Sequence, residues 1–161
     1  MVVIVMGVTG CGKTTVGRRL SSDLGWPFHD ADDFHPPENV EKMSRGIPLT
    51  DEDRRPWLEA IRRKIDETDT SGRHAVIGCS ALKESYRHVL RDGAPAVSFA
   101  WLTGPRALLA ERLRHRVGHF MNPALLDSQL QTLEEPAYAV RVEIALPLAA
   151  QVRLIRSSLN I

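Results

Sequence analysis

Gly7 is followed by four residues and then by Gly12-Lys13-Thr14, so residues 7–14 read G-x-x-x-x-G-K-T. That spacing suits phosphate. Successive backbone N–H groups of such a turn point inward as an anion nest, and its glycines adopt angles that a Cβ resists. A helix starting at Lys13 adds the positive end of its dipole. Lys13 can reach β- and γ-phosphates, and the Thr14 hydroxyl is a ligand for Mg²⁺. The nucleotide cradle is therefore read as Gly7, Val8, Thr9, Gly10, Cys11, Gly12, Lys13, Thr14 and Thr15. A chance glycine turn is the competing reading, and the strand-then-helix context disfavours it. Cys11 reads as a small residue filling a tight turn; the alternative is a loop thiol whose pKa nearby positive charge lowers.

Two further groups carry chemistry. In D-A-D-D-F-H-P-P-E-N, Asp30 and Asp32 stand two apart at the end of a short strand. Phosphoryl transfer needs one carboxylate near Mg²⁺ and one near the acceptor hydroxyl. A solvated acidic loop is the bland alternative, and Asp33 fits it best. In E-R-L-R-H-R-V-G-H-F, Arg112 and Arg116 stand four apart, on one helical face. A basic helix end of this kind can fold over phosphates and stabilise transition-state charge. A solvated basic face, to which Arg114 and His115 belong, is the alternative.

The elements that must position these groups are legible in outline. The run V-V-I-V-M-G-V is a β-branched strand covered on both faces. Val16, Leu20 and Leu24 mark a helix after Lys13, stopped by Gly25, Trp26 and Pro27. Phe28 starts a short strand that ends in the acidic loop, and a short helix closes at Gly46. A longer helix is expected to begin near Pro56, with Thr50 or Asp51 capping its upstream end. Strands at 74–82, 96–104 and 140–145 alternate with helices at 84–92, 105–118, 124–135 and 148–159. This alternation implies an α/β layer fold with a mostly parallel sheet and right-handed crossovers. Ligands of such sheets bind beyond the carboxyl ends of the strands.

The chain has 161 residues, 43% apolar and 25% charged, which suits one domain over 1–161 with its own core. A net charge of +1 gives no reason to expect nucleic acid or a membrane surface as partner. Cys11 and Cys79 have no metal or disulfide spacing, and a reducing cytoplasm is the expected setting. The apolar opening is too short for a signal peptide or a membrane span.

Together, G-V-T-G-C-G-K-T-T-V-G, the stretch from Asp30 to Leu58, C-S-A-L-K-E-S-Y-R-H-V-L-R from Cys79, and the stretch from Glu111 to Pro136 resemble the gluconokinases, P-loop kinases that act on gluconate. The H-P-x-x-N-x-x-K-M of His35 to Met43 and the C-S-A-L-K of Cys79 to Lys83 are more specific than the phosphate loop. Cys11 stands where the family pattern has serine. After Pro136 only a strand-then-helix pattern is shared.

The resemblance implies a three-layer α/β/α P-loop kinase fold with a helical lid over about 111–135. It implies transfer of the γ-phosphoryl group of ATP to the 6-hydroxyl of D-gluconate, with Mg²⁺. In that reaction Lys13, Arg112 and Arg116 would act on the transferred phosphate and Asp32 on the acceptor hydroxyl. Asp30 would act on Mg²⁺ beside Thr14. Gluconate carries a carboxylate far from the reacting hydroxyl, so the acceptor site needs a cation and hydrogen-bonding groups. Arg54, Lys83 and Arg87 are the cation candidates, and His35 and Ser80 the hydroxyl binders. His119 and Gln129 lie in matching stretches without an assignable role, and Trp57 and Trp101 read as core. A homodimer fits the resemblance, but no stripe marks an interface. A kinase of a shikimate-like hydroxy acid would show a glycine-rich loop after the third strand, where this chain has G-C-S-A-L-K. A nucleotide-binding regulator without turnover would be expected to lack Lys13, Asp32 or the lid arginines, and all are present.

Overall fold

The computed structural model describes residues 1–93, 96–115 and 123–161. Five strands, β1 (Val2–Met6), β2 (Phe28–Asp30), β3 (Ala75–Gly78), β4 (Val97–Thr103) and β5 (Val140–Glu143), form one sheet in the order β2-β3-β1-β4-β5. Every pairing is parallel. Parallel neighbours need a crossover between them. These are supplied by α1 (Lys13–Leu24), α2 (Pro37–Ser44), α3 (Asp51–Thr70), α4 (Glu84–Arg91), α5 (Arg106–Arg114) and α6 (Pro123–Thr132); α7 (Leu148–Leu159) closes the chain.

The three layers follow from β1. All five of its side chains are buried, and they divide by the strand's two-residue period. Val3 and Val5 pack with Val16 and Leu20 of α1, Leu109 and Leu113 of α5, Leu126 of α6, and Val152 and Ile155 of α7. Val2, Ile4 and Met6 pack on the other side with Trp57, Ile61 and Ile65 of α3 and with Tyr86 and Leu90 of α4. A run apolar at every position is what a strand covered on both faces requires.

From β3 the chain passes over β1 to reach β4, so connections leave the two sides of β1 in opposite directions and open a crevice at its carboxyl end. The glycine loop after β1, the acidic turn after β2 and the C-S-A-L-K loop after β3 all fall on this edge.

The structure differs from the sequence reading at α3 and after β2. Helix α3 starts at Asp51, five residues before Pro56, which lies inside it. Thr50 and Asp53 form a full capping box, with Thr50 Oγ1 accepting from the Asp53 N–H and Asp53 Oδ2 accepting from the Thr50 N–H. Pro56 donates no helical hydrogen bond, and α3 nonetheless runs through it from the upstream cap. The acidic loop is a turn of 3-10 helix, Ala31–Phe34, capped by the Asp30 side chain. Among the described residues no helix is long and apolar enough to cross a membrane.

Candidate active site

Helix α1 begins with Gly12 as its N-cap, at φ 99°, and with no side-chain cap. With no side-chain cap, the first turn turns backbone N–H groups and the positive end of the helix dipole toward the loop, as an anion site requires. Gly10, at φ 79°, also could not carry a Cβ, which would lie 2.9 Å from Leu113 Cγ. Lys13 lies across its own loop, with Nζ donating to the Gly7 carbonyl at 3.0 Å and the Val8 carbonyl at 3.1 Å. Phosphate oxygens are stronger partners for an ammonium than these carbonyls.

Thr14 and Asp30 meet: Thr14 Oγ1 donates to Asp30 Oδ2 at 3.2 Å. The other oxygen, Asp30 Oδ1, accepts the Asp32 N–H at 3.2 Å and so holds Asp32 in the turn. A hydroxyl beside a carboxylate, both hard oxygen donors, fits Mg²⁺, which keeps waters and substrate phosphates for its remaining positions. Among the described residues no group of three His, Cys, Asp or Glu could form an all-protein metal cage.

Burial, and next the Asp30 charge, push the Asp32 carboxyl above its ordinary pKa; Lys13 and His35 pull partly the other way. Next to it His35 stacks on Trp57, with ring centroids 4.7 Å apart and planes 6° from parallel. Trp57 is itself pinned, its Nε1–H donating to the Ala31 carbonyl at 2.7 Å. Asn39 Nδ2 donates to the Asp53 carbonyl at 2.7 Å and faces His35 Nδ1 at 3.3 Å. A nitrogen facing an N–H donor must be unprotonated, so the His35 proton sits on Nε2. Burial lowers the His35 pKa, as suits a neutral ring, and the Arg54 charge acts in the same direction against Asp32. Asn39, Asp53 and Trp57 thus hold the turn, and spacing alone did not mark them for that task.

The cation candidates separate. Arg54 Nη1 donates to the Leu49 carbonyl at 2.7 Å and lies 3.8 Å from Asp51 Oδ1. Lys83 Nζ binds both oxygens of Asp51, at 2.9 and 2.8 Å, and Tyr86 Oη donates to the same carboxylate. Arg87 departs from its expectation. It is 1% exposed, and its guanidinium is fully occupied. Nη1 donates to the Ala81 and Leu82 carbonyls, Nη2 to the Glu134 carbonyl and to Glu84 Oε2 at 2.9 Å, and Nε to Glu84 and Tyr138 Oη. It braces the loop after β3, where Ala81 takes a positive φ of 43°, and has no donor left for a substrate. Ser80 is half-buried, and its carbonyl accepts the Gly7 N–H at 3.4 Å.

Arg112 sits at the edge of the cradle, with Nη1 donating to the Cys11 carbonyl at 3.5 Å and Nη2 to the Ile144 carbonyl at 2.6 Å. Arg116 and His119 lie outside the described residues, as does the middle of the expected lid. Gln129, without a role in the sequence reading, has one here: its Oε1 accepts the Thr9 N–H at 2.6 Å, joining α6 to the phosphate loop. Cys11 is fully buried, and burial pushes its thiol up despite Lys13 and Arg112; Cys79 is pushed up to about 12. The lowered thiol pKa considered for Cys11 is thus overturned.

An uncapped helix start behind a glycine turn, a lysine across its mouth and an acidic turn on the next strand edge make this a P-loop phosphotransferase. Consistent with that class, residues 9–145 match the shikimate kinase family. Much closer relatives define the branch. The chain is 51% identical over 134 residues to the gluconokinase of Gluconobacter oxydans, covering 83% of this chain and 75% of that one. It is 45% identical over 152 residues to a probable gluconokinase of Xenopus tropicalis, covering 85% and 80%. The crystal structure of a gluconokinase from Sinorhizobium meliloti superposes with a TM-score of 0.88 at 48% identity, over 98% of this chain and 90% of that one. The chain belongs to the gluconokinase family.

Proposed function

We propose that the protein transfers the γ-phosphoryl group of ATP to the 6-hydroxyl of D-gluconate, giving 6-phospho-D-gluconate and ADP. The loop N–H groups and Lys13 bind the β- and γ-phosphates. Thr14 and Asp30 are the residues that would hold Mg²⁺, which when bound offsets phosphate charge. Asp32 accepts a hydrogen bond from the 6-hydroxyl and takes its proton as the new phosphorus–oxygen bond forms and the bond to ADP breaks. Its raised pKa suits a group that must accept a proton near neutral pH. Arg112 steadies the loop edge, and Arg116 is assigned to the transferred phosphate. His35, through Nε2–H, and Ser80 bind hydroxyls of the acceptor, and Arg54 and Lys83 take its carboxylate. ATP and Mg²⁺ as co-reactants suit a cytoplasmic setting.

The observation that carries this reading is a chain of contacts along the sheet edge. Lys13 spans the glycine loop, Thr14 bonds Asp30 and Asp30 holds the Asp32 N–H, while Lys83 and Arg54 gather at Asp51, so a phosphate end and a cationic end share the carboxyl edge of the sheet. ADP release should be measured with Mg²⁺ and ATP against D-gluconate, shikimate and neutral sugars. Release that depends on gluconate supports the reading. Release with shikimate alone would favour the hydroxy-acid alternative, and nucleotide binding without release would favour a regulator.

A further inference from the structure

Asp51 has more partners than a helix start calls for. It is the first residue of α3, next to Thr50, yet the cap is built by Thr50 and Asp53. Asp53 is further committed to Lys42 at 2.7 Å. At the first helical position Asp51 complements the helix dipole, as Glu52 also does, but the capping hydrogen bonds do not involve it. Instead its carboxylate gathers Lys83 through both oxygens, the Tyr86 hydroxyl and, at 3.8 Å, Arg54. The same two cations lie over the Tyr86 ring, at 5.9 Å for Arg54 and 5.5 Å for Lys83. The Asp51 side chain is 61% exposed, and exposed ion pairs contribute little to stability. A tether between α3 and α4 is a poor reason for this arrangement.

We propose that Asp51 is a specificity-determining residue that tunes the cationic end of the acceptor site to a single negative charge. This rests on the reading that Arg54 and Lys83 receive the acceptor's carboxylate. Two cations alone would present a double charge suited to a dianion. With Asp51 among them the cluster carries one net positive charge, which matches one carboxylate. The product carries the same carboxylate, so the moderated charge also lets it leave.

The test measures dissociation constants of D-gluconate and of the neutral hexitol D-glucitol by calorimetry, with a non-hydrolysable ATP analogue and Mg²⁺ present. Asp51→Asn should tighten gluconate about threefold at low salt, the pull of one added unit charge several ångströms away through water, and leave glucitol unmoved. Its gluconate affinity should also fall more steeply with salt. Lys83→Gln should weaken gluconate relative to glucitol by a similar factor. The double variant Asp51→Asn/Lys83→Gln, whose net charge is again one, should recover the wild-type ratio. Asp51→Glu should keep that ratio, and melting curves on every variant separate lost folding from lost charge. Weaker gluconate binding in a folded Asp51→Asn, or equal shifts for both ligands, would overturn the proposal. So would a double variant that fails to recover the ratio. If the wild-type protein itself turns over no gluconate, the functional reading falls and this inference with it; turnover with an unchanged ratio in the variants removes the inference alone.

Discussion

Replacing Arg87 with methionine keeps the apolar stem of the side chain and removes every guanidinium donor. The Ala81 and Leu82 carbonyls, which Nη1 holds at 2.8 and 3.0 Å, then lose a buried partner. Ala81 is 0% and Leu82 8% exposed, so water does not readily replace it. The Leu82 carbonyl keeps the Glu134 N–H at 2.9 Å, so the Ala81 carbonyl is the one orphaned, at a cost of about 1–3 kcal/mol. Glu84 adds little, because its side chain is 42% exposed and rehydrates. For a chain of this size a loss of about 2 kcal/mol corresponds to a melting temperature lower by about 4–8 °C. Arg87→Lys should recover part of it, since an ammonium reaches fewer of the acceptors. Urea unfolding followed by circular dichroism gives the free energy, and steady-state kinetics gives the gluconate KM of the folded protein. A methionine variant with wild-type stability and a gluconate KM raised about a hundredfold would refute the bracing role and return Arg87 to the acceptor site; such a factor is about 2.7 kcal/mol of binding.

Lys13→Ala should leave circular dichroism and melting nearly unchanged while abolishing turnover, and a near-normal kcat would remove the phosphate-loop assignment. Asp32→Asn should lower kcat by about 10²–10⁴ with little change in ATP affinity, as single-turnover rates and ATP titration can separate. In the wild type, kcat/KM should fall as pH drops through a pKa above the ordinary aspartate range, because the ionised carboxylate is the active form. The stability sign is opposite. A carboxyl whose pKa is raised on folding stabilises the fold below its unfolded pKa, and that contribution is lost as pH rises through the folded value. Unliganded Asp32→Asn should therefore melt at or above the wild-type temperature at neutral pH. Gln129→Met leaves the Thr9 N–H without its acceptor and should cost about 1–2 kcal/mol in urea unfolding, with a raised KM for ATP; unchanged values for both would mean the contact is idle.

What the sequence reveals here is set by how local the determining forces are. Strand β1, the glycine turn and α1 occupy residues 2–24 without interruption, and each is governed by neighbours in the chain. The 2-3-1-4-5 order is not visible in the residues, yet the rule that ligands sit at the carboxyl edge of parallel strands placed the phosphate loop, Asp30 and the loop after β3 together. Thr50, one of the two caps the sequence offered for α3, is its N-cap; the first turn was placed too late because Pro56 is a conspicuous start signal, and the Asp53 half of the capping box went unread. Arg87 looked like a free cation on a helix face. Its partners at 81, 82, 134 and 138 are brought together by tertiary packing. Gln129 bonds a backbone group 120 residues away, and no periodicity could announce that. Asp51 was hidden in a run of helix-start acids, and its distinction from Asp53 lies in which partners each carboxylate meets.

The central claim is that this site moves phosphate from ATP to the terminal hydroxyl of a sugar acid, and ³¹P nuclear magnetic resonance of the reaction tests it most directly. With protein, Mg²⁺, ATP and D-gluconate, the γ-phosphate signal should decline as a phosphomonoester signal grows, split by the two protons of the gluconate C6 methylene. Neither change should occur without gluconate or with Lys13→Ala. A γ-phosphate signal that persists in the complete mixture, decays to inorganic phosphate alone, or gives an ester coupled to a ring-carbon or chain-carbon methine proton would contradict the account.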